Sequence, residues 1–284
     1  MRAVRVPGPR TSWRRLLREM ESAGVCVLYA SVGDWAAYAS GSGEQAGAYP
    51  LLTEAAERRR LERLTRPLLR ARFTASRALL KSAAGAVLGA RPGELELAYE
   101  PGGRPRLRGI GQLEISLSHT GDLITAGLSW TGRIGVDVEA ADRRMLALGT
   151  EQRMCLPAEL RRLRRLPEAE RNRELVRLWT LKEAYSKAIG QGLRFGFTEF
   201  GFDFPGGPPG PRLLRGDGTP APAAEWTFGS RLVGGTHWVS GAFHDPGFGT
   251  GRGTGTRHGP ASGAPAADAP TPGRTPVHPG SSPR

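Results

Sequence analysis

Hydrophobic residues recur along the chain with two different periods, which predict a mixture of helices and strands. Apolar positions three and four residues apart predict helices over about Trp13–Met20, Thr53–Leu88, Pro157–Arg165 and Glu168–Ile189, and Pro67 is expected to divide the second of these. Short apolar runs bounded by glycine or other turn residues predict strands. These strands are Val25–Ala30, Glu96–Tyr99, Leu113–Ser118, Leu123–Ser129, Arg133–Glu139, Phe200–Phe204, Trp226–Phe228 and His237–Ala242.

The order of these elements predicts an α+β protein built from two similar halves. The strands over 123–129 and 133–139 are expected to form a hairpin with Thr131 and Gly132 in its turn. The first half would span residues 24–130 and the second residues 131–246, with a cleft between them as a natural ligand site. Residues 1–23 are predicted to be an arginine-rich N-terminal extension. Residues 247–284 are predicted to be a disordered tail, because their Gly, Pro, Ala, Ser and Thr cannot bury enough apolar surface to offset the entropy of ordering.

Composition and charge narrow the classes of function. The chain of 284 residues has a formal net charge of +13, which suits nucleic acids, acidic membranes, acidic proteins or polyphosphate ligands as partners. No segment has the roughly 20 consecutive apolar residues of a membrane span. The two cysteines, Cys26 and Cys155, are too few for a disulfide framework or a cysteine-rich zinc site. The sequence therefore predicts a cytoplasmic protein without a membrane partner.

Two carboxylates lie on one face of the predicted strand over 133–139. Because side chains alternate along a strand, Asp137 and Glu139 share the face opposite Val136 and Val138. Like charges on one face repel each other unless a cation or water lies between them, and Mg²⁺ prefers such oxygen ligands. A half-exposed strand with a solvated acidic face is the alternative interpretation.

The predicted helix over 168–189 offers a third carboxylate. A spacing of four places Trp179, Glu183 and Lys187 on one helical face. Charges beside a tryptophan that should pack against the core indicate a functional site, and an ordinary surface Glu–Lys pair is the alternative. Earlier in the chain, Ser118 and His119 end a predicted strand, where a hydroxyl, an imidazole and backbone N–H groups can hold a phosphate. A simple turn often contains the same residues.

Taken in order, these segments resemble the Sfp-type (surfactin-synthetase-activating) 4′-phosphopantetheinyl transferases. The resemblance covers about residues 24–245 and implies a pseudo-dimeric α+β fold in one chain, with the active site between the halves. A monomer is therefore expected. The matching segments are Ser116–His119, Gly135–Glu139, Trp179–Lys187 and Gly190–Leu193, together with Ser76–Leu80, Gly103–Pro105 and Pro157–Glu159.

The resemblance implies an enzyme that moves the phosphopantetheine arm of coenzyme A onto a serine of an acyl, polyketide or peptidyl carrier protein. It implies that Asp137, Glu139 and Glu183 hold Mg²⁺. It further implies that Glu183 acts as the general base and that Lys187 also takes part in catalysis. Glu159 would lie near the metal. Carrier proteins typically present an acidic helix, which would suit the positive charge of this chain. The residues expected to contact coenzyme A are Arg77, Arg104, Ser118, His119, Lys182 and Lys187.

Three alternatives make different predictions. A nucleic-acid-binding protein would fit the net charge of +13, but zinc-finger spacing, an aromatic RNP-like strand and a basic zipper are absent from the sequence. A different Mg²⁺ phosphotransferase or nuclease would hydrolyse coenzyme A or nucleotides without a carrier. A short holo-carrier synthase would form trimers from single halves, whereas this chain is long enough for both. The sequence favours the transferase and predicts no nucleic-acid partner.

Overall fold

The computed structural model describes residues 2–39, 54–146, 149–192, 196–206 and 210–247. Leu193 of the predicted Gly190–Leu193 segment and the predicted tail beyond residue 247 lie outside these ranges. The helices are α1 (Arg14–Ala23), α2 (Val32–Ala39), α3 (Ala55–Glu62), α4 (Pro67–Leu88), α5 (Thr150–Met154), α6 (Pro157–Arg164) and α7 (Glu168–Ile189). The strands are β1 (Ala3–Arg5), β2 (Val25–Ser31), β3 (Leu97–Tyr99), β4 (Pro105–Leu107), β5 (Glu114–Thr120), β6 (Leu123–Ser129), β7 (Ile134–Ala140), β8 (Phe200–Asp203), β9 (Arg212–Arg215), β10 (Trp226–Val233) and β11 (His237–His244).

This arrangement confirms the α+β class. In the first half, a four-stranded sheet has the order β1-β2-β6-β5, and buried residues of α4 such as Leu79 and Leu80 belong to the core that covers it. In the second half, a three-stranded antiparallel sheet has the order β10-β11-β7. Helix α7 packs on that sheet, and its Leu178 and Leu181 are fully buried. Each half therefore joins its larger sheet to one long helix, and the pairs β3-β4 and β8-β9 form two further sheets of two strands each.

Residues 3–23, predicted as an extension outside the first half, contribute to its sheet and core. Strand β1 pairs in parallel with β2. Val4, Val6 and Leu16 are buried in the same core as Trp35, whose indole Nε1 donates a hydrogen bond of 3.3 Å to the Val6 carbonyl. The alternation of apolar and basic residues in this segment is that of a sheet strand with one buried face.

The predicted hairpin of β6 and β7 is wrong, because the two strands belong to different sheets. Strand β6 pairs with β2 and β5, and β7 pairs with β11. Side chains of β7 pack against β6 instead of sharing a ladder with it. A Cβ atom at Gly127 of β6 would lie only 2.7 Å from Val136 Cγ1. The short connection after β6 therefore carries the chain from one sheet to the next.

The two long helices begin and end where their sequences predict. Pro67 occupies the start of α4 and separates it from α3, as expected from the missing proline N–H. Both α4 and α7 have 22 residues and end at a left-handed glycine, Gly89 and Gly190 respectively. Over the part of the chain that is described, no helix combines the length and the apolar character that crossing a membrane requires.

Candidate active site

Strand β7 and helix α7 approach each other so closely that only glycine fits between them. A Cβ atom at Gly135 would lie 1.9 Å from the carbonyl oxygen of Ala184. On β7, Ile134, Val136 and Val138 point into an apolar cluster with Val27. Asp137 and Glu139 therefore lie on the opposite face, as the alternation along the strand predicts. This close packing brings the acidic face of β7 to the charged face of α7.

Asp137 is the centre of a compact polar cluster. Its Oδ1 accepts hydrogen bonds of 2.6 Å from Lys187 Nζ and of 2.6 Å from Ser118 Oγ. Lys187 Nζ also donates to the carbonyl of Val136, at 3.2 Å. Three predicted site residues on β5, β7 and α7 are thus held together by direct contacts.

Glu139 is held by two residues, Thr120 and Arg143, that the sequence did not predict as its partners. Thr120 Oγ1 donates a hydrogen bond of 2.6 Å to its Oε1, and Arg143 forms an ion pair with it. The Arg143 guanidinium also lies over the ring of Trp179, 5.2 Å from its centroid. A signal for Thr120 was present, because alternation along β5 places it on the same face as Ser118. No sequence signal pointed to Arg143.

Glu183 differs from the other two carboxylates because, among the described residues, its side chain makes no hydrogen bond or salt bridge. Burial and the negative charge of Asp137 raise its pKa to about 7, against the opposing effect of Lys187 and Arg143. A half-buried carboxyl group with a pKa near neutrality can exchange a proton under physiological conditions.

The three carboxylates have the oxygen donors that Mg²⁺ prefers. The repulsion between Asp137 and Glu183 that raises the pKa of Glu183 would be relieved by a divalent cation. Among the described residues, no group of three potential ligands is arranged as a metal site. Asp137 is paired with Lys187 and Glu139 with Arg143. The chemistry of the donor set fits the ion, and a rearrangement of these ion pairs would have to accompany binding.

Arg77 and His119 lie on the α4 side of β5. Arg77 is buried, with its Nε 3.2 Å from Glu57 Oε1 and its Nη2 3.0 Å from the Tyr99 hydroxyl. His119 has an exposed face, yet partial desolvation of its ring and the positive charges of Arg72, Arg77 and Lys187 lower its pKa to about 4. The imidazole is therefore neutral at physiological pH and borders a region of positive charge. Contact of Arg77, Ser118 and His119 with coenzyme A stays a prediction.

Arg104 holds the C-terminal end of α7, and its predicted contact with coenzyme A stays a prediction. Its Nη1 donates hydrogen bonds of 2.9 Å and 2.7 Å to the carbonyls of Lys187 and Ala188, and its Nη2 forms an ion pair with Glu114. A cation at this end of a helix is stabilised by the unpaired carbonyls and the helix dipole. Arg104 thus ties the turn after β3 to the helix that carries Glu183.

Lys182 and Glu159 do not join the Asp137 cluster, which corrects both predictions. The side chain of Lys182 is fully buried, 2.9 Å from Glu159, and its Nζ donates to the carbonyls of Met154, Phe197 and Phe200 at 2.7 to 2.8 Å. These buried acceptors use all donors of the ammonium group. Glu159 also accepts from the backbone N–H of Phe202, at 2.8 Å. The pair therefore joins α6 and β8 to α7.

Parts of the chain are similar in sequence to known proteins. Residues 133–236 match the family model of the 4′-phosphopantetheinyl transferase superfamily. A 4′-phosphopantetheinyl transferase, HetI, of a Nostoc species is 38% identical over 47% of this chain and 58% of its own length. A phosphopantetheinyl transferase of a Thraustochytrium species is 28% identical over 51% of this chain and 55% of its own length. The chain thus spans little more than half the length of these curated relatives. A solved holo-(acyl-carrier-protein) synthase from Bacillus anthracis, in complex with coenzyme A (3′,5′-ADP), is covered over 96% of its length and 40% of this chain, with 18% identity and a TM-score of 0.34.

Proposed function

We propose that this protein transfers the phosphopantetheine arm of coenzyme A to a serine of a carrier protein, because residues 133–236 match the family model of the 4′-phosphopantetheinyl transferase superfamily. The products are the modified carrier and 3′,5′-adenosine bisphosphate. The carrier belongs to the acyl, polyketide or peptidyl class. The family model matches residues 133–236 only, and the proposal applies the activity of that family to the whole chain.

The observation that carries the proposal is the set of charges where β7 meets α7. Glu183 is half-buried and, among the described residues, makes no hydrogen bond or salt bridge, and Lys187 on the same helical face contacts Asp137 at 2.6 Å. Phosphoryl transfer to a serine needs a base for the hydroxyl proton and positive charge beside the phosphates. This cluster offers both within one turn of a helix.

In the proposed reaction, the serine oxygen of the carrier forms a new bond to the β-phosphorus of coenzyme A. Glu183 takes the serine proton, and the bond from that phosphorus to the bridging oxygen breaks, so the electron pair leaves with 3′,5′-adenosine bisphosphate. Lys187 exchanges its contact with Asp137 for the pyrophosphate and stabilises the charge that develops there. General-base assistance of this kind contributes roughly 10²- to 10⁴-fold in rate.

Mg²⁺ fits this proposal as the metal held by Asp137, Glu139 and Glu183. When bound, it would neutralise negative charge on the phosphates of coenzyme A. The protein residues supply the orientation: Ser118 fixes the Asp137 carboxylate and Thr120 fixes that of Glu139.

We propose further that the active unit is a monomer in the cytoplasm. The polar cluster that would form the active site takes Ser118 from the first half, and Asp137 and Lys187 from the second half, of the same chain. Sedimentation of the active enzyme as a single chain is expected, and activity confined to a dimer or trimer would contradict this part of the proposal.

The test is the intact mass of an apo-carrier protein after incubation with this protein, coenzyme A and Mg²⁺. A gain of one phosphopantetheine arm that disappears with a chelator is expected. Glu183→Gln should lower kcat about 10²- to 10⁴-fold, whereas Glu168→Gln, an exposed control on the same helix, should leave it unchanged. Wild-type turnover by Glu183→Gln would exclude Glu183 as the base. Absence of any mass gain with fatty-acid, polyketide and peptidyl carriers would refute the proposed function.

A further inference from the structure

Two large apolar side chains are exposed next to each other at the start of α4. Leu68 is 55% and Leu69 36% exposed, and among the described residues only Tyr99 is a comparably exposed large apolar side chain. Neighbouring exposed leucines form an apolar patch, and an apolar patch rimmed by polar residues can mark a surface that another protein covers. The rest of α4 from Ala75 onwards is largely buried.

Positive charge surrounds these leucines. Within residues 55–70, arginines account for six exposed side chains and Glu62 is the one exposed carboxylate, because Glu57 is buried. The turn between the two helices is fixed by Arg70, whose Nη1 donates to the carbonyls of Leu61 at 2.6 Å and Leu64 at 3.2 Å. We call this surface the α3–α4 corner. It comprises Arg59, Arg60, Arg63, Arg66, Leu68 and Leu69.

The α3–α4 corner is linked to the candidate active site along α4, because the guanidinium groups of Arg60 in the corner and of the predicted site residue Arg77 lie over the same Phe73 ring, 5.8 Å and 3.8 Å from its centroid. Arg72 follows Leu68 and Leu69 by four and three residues, which places it on the same side of α4. Its positive charge acts on His119, and His119 adjoins Ser118, which bonds to Asp137. A protein seated on the corner would therefore lie beside the residues that are proposed to act on its serine.

We propose that the α3–α4 corner docks the carrier protein, through a carrier helix on which acidic side chains flank an apolar stripe. This inference rests on the proposed function. Leucines contribute to binding when a partner removes them from water, and the arginines then require carboxylates in return. A second copy of this chain would bring the same positive charges together, which is unfavourable. The phosphates of a nucleic acid would pair with the arginines, but its charged backbone would provide no apolar surface for the leucines.

The test compares two variants of the corner with a matched control. Leu68→Ser combined with Leu69→Ser removes the apolar pair, and Arg63→Glu reverses one charge. Arg164→Glu makes the same charge reversal at an exposed position of α6. All of these side chains are exposed, so unfolding temperatures close to that of the wild type are expected. Each corner variant should raise the KM for apo-carrier at saturating coenzyme A at least 10-fold, without changing kcat or the KM for coenzyme A, while Arg164→Glu changes none of these.

Charge reversal on the carrier provides a rescue. If the corner binds an acidic helix, replacing one acidic residue of that helix by arginine should restore part of the affinity of Arg63→Glu and weaken the wild type. An unchanged KM for carrier in both corner variants would overturn the docking. A rise in the KM for coenzyme A instead would assign the arginines to its phosphates, and loss of salt-sensitive binding to random duplex DNA would assign them to nucleic acid. Either result would also overturn it.

Direct binding of fluorescent apo-carrier separates this inference from the proposed function. A wild-type protein that binds the carrier, loses that binding at least 10-fold with Arg63→Glu and yet transfers nothing would retain the docking surface and refute the transferase activity. If the wild type transfers the arm and both corner variants bind the carrier as tightly as the wild type, the transferase activity would be retained and the docking surface refuted. A wild type that neither binds nor modifies any carrier would refute both.

Discussion

Replacing Arg104 by methionine tests whether this residue holds the helix of the candidate active site or binds a ligand. Arg104 donates to the carbonyls of Lys187 and Ala188, and within the described ranges only the first of these carbonyls also accepts from a backbone N–H, that of Gly190. Methionine keeps most of the side-chain volume and removes the donors. One carbonyl therefore loses its partner, and the C-terminal end of α7 loses a cation.

The expected loss follows from these two effects. A polar group left without its partner costs about 1–3 kcal/mol, and a charge at a helix end contributes about 0.3–1 kcal/mol. The ion pair with Glu114 adds little, because the side chain of Glu114 is 39% exposed. A total of roughly 1–4 kcal/mol corresponds to a decrease of about 3–16 °C in Tm for a protein of this size. Arg106→Met, which removes an exposed arginine two residues away, should change Tm very little.

Kinetics with two substrates decide between the two roles. If Arg104 positions α7, Arg104→Met should lower kcat for coenzyme A and for 3′-dephospho-coenzyme A by the same factor, because Glu183 and Lys187 shift for both. Hydrogen exchange at the last turn of α7 should become faster in the same variant. A variant that loses its preference for coenzyme A over the dephosphorylated form, with unchanged exchange in α7, would refute this reasoning and make Arg104 a ligand contact.

Three further predictions concern stability. Lys182→Met should reduce the free energy of unfolding by about 3–5 kcal/mol because it leaves Glu159 charged and unpaired in the core, with partial recovery in the double variant with Glu159→Gln; a normal Tm with a raised KM for coenzyme A would contradict this. Gly135→Ala should cost about 3 kcal/mol or more, since its Cβ would lie 1.9 Å from the Ala184 carbonyl, whereas Gly111→Ala has nothing within 4 Å and should melt like the wild type. Burial and a hydrogen bond with Glu54 raise the pKa of Glu57 to about 7. Glu57 therefore stabilises the folded state most below a pH of about 4.5, and this contribution is lost as the pH rises through about 7. In urea unfolding, the free energy of unfolding should fall more between pH 5 and pH 8 for the wild type than for Glu57→Gln, and an equal fall would exclude Glu57 as the cause.

Patterns within one element predicted much of this site. The alternation of β7 correctly separated Asp137 and Glu139 from the buried valines, and the four-residue spacing on α7 correctly grouped Glu183 with Lys187. The same helical spacing also predicts that Lys182 lies outside this face. Lys182 precedes Glu183 by one residue, so its side chain points about 100° away from that of Glu183 around the helix axis. The resemblance to a family motif nevertheless placed Lys182 among the residues expected to contact coenzyme A.

Relations between distant elements could not be predicted in the same way. Strands β6 and β7 are separated by a short turn-like connection, which is as suitable for a hairpin as for a change of sheet. The outcome depends on β11, more than 90 residues later in the chain, whose pairing with β7 runs from His237 to Phe243. The burial of β1 was likewise not predicted, because the segment around it is rich in arginine. Val4 and Val6 nevertheless alternate with Arg5, as in a strand with one buried face.

The distribution of lysine has a practical consequence for chemical labelling. The chain has three lysines, and the side chains of Lys81 and Lys182 are 0% exposed, whereas Lys187 is 28% exposed. An amine-reactive reagent applied to the folded protein therefore meets a single accessible lysine side chain, and that side chain lies in the candidate active site. Peptide mapping of the labelled protein would accordingly report on that one position, and a ligand that covers Lys187 would shield it from the reagent.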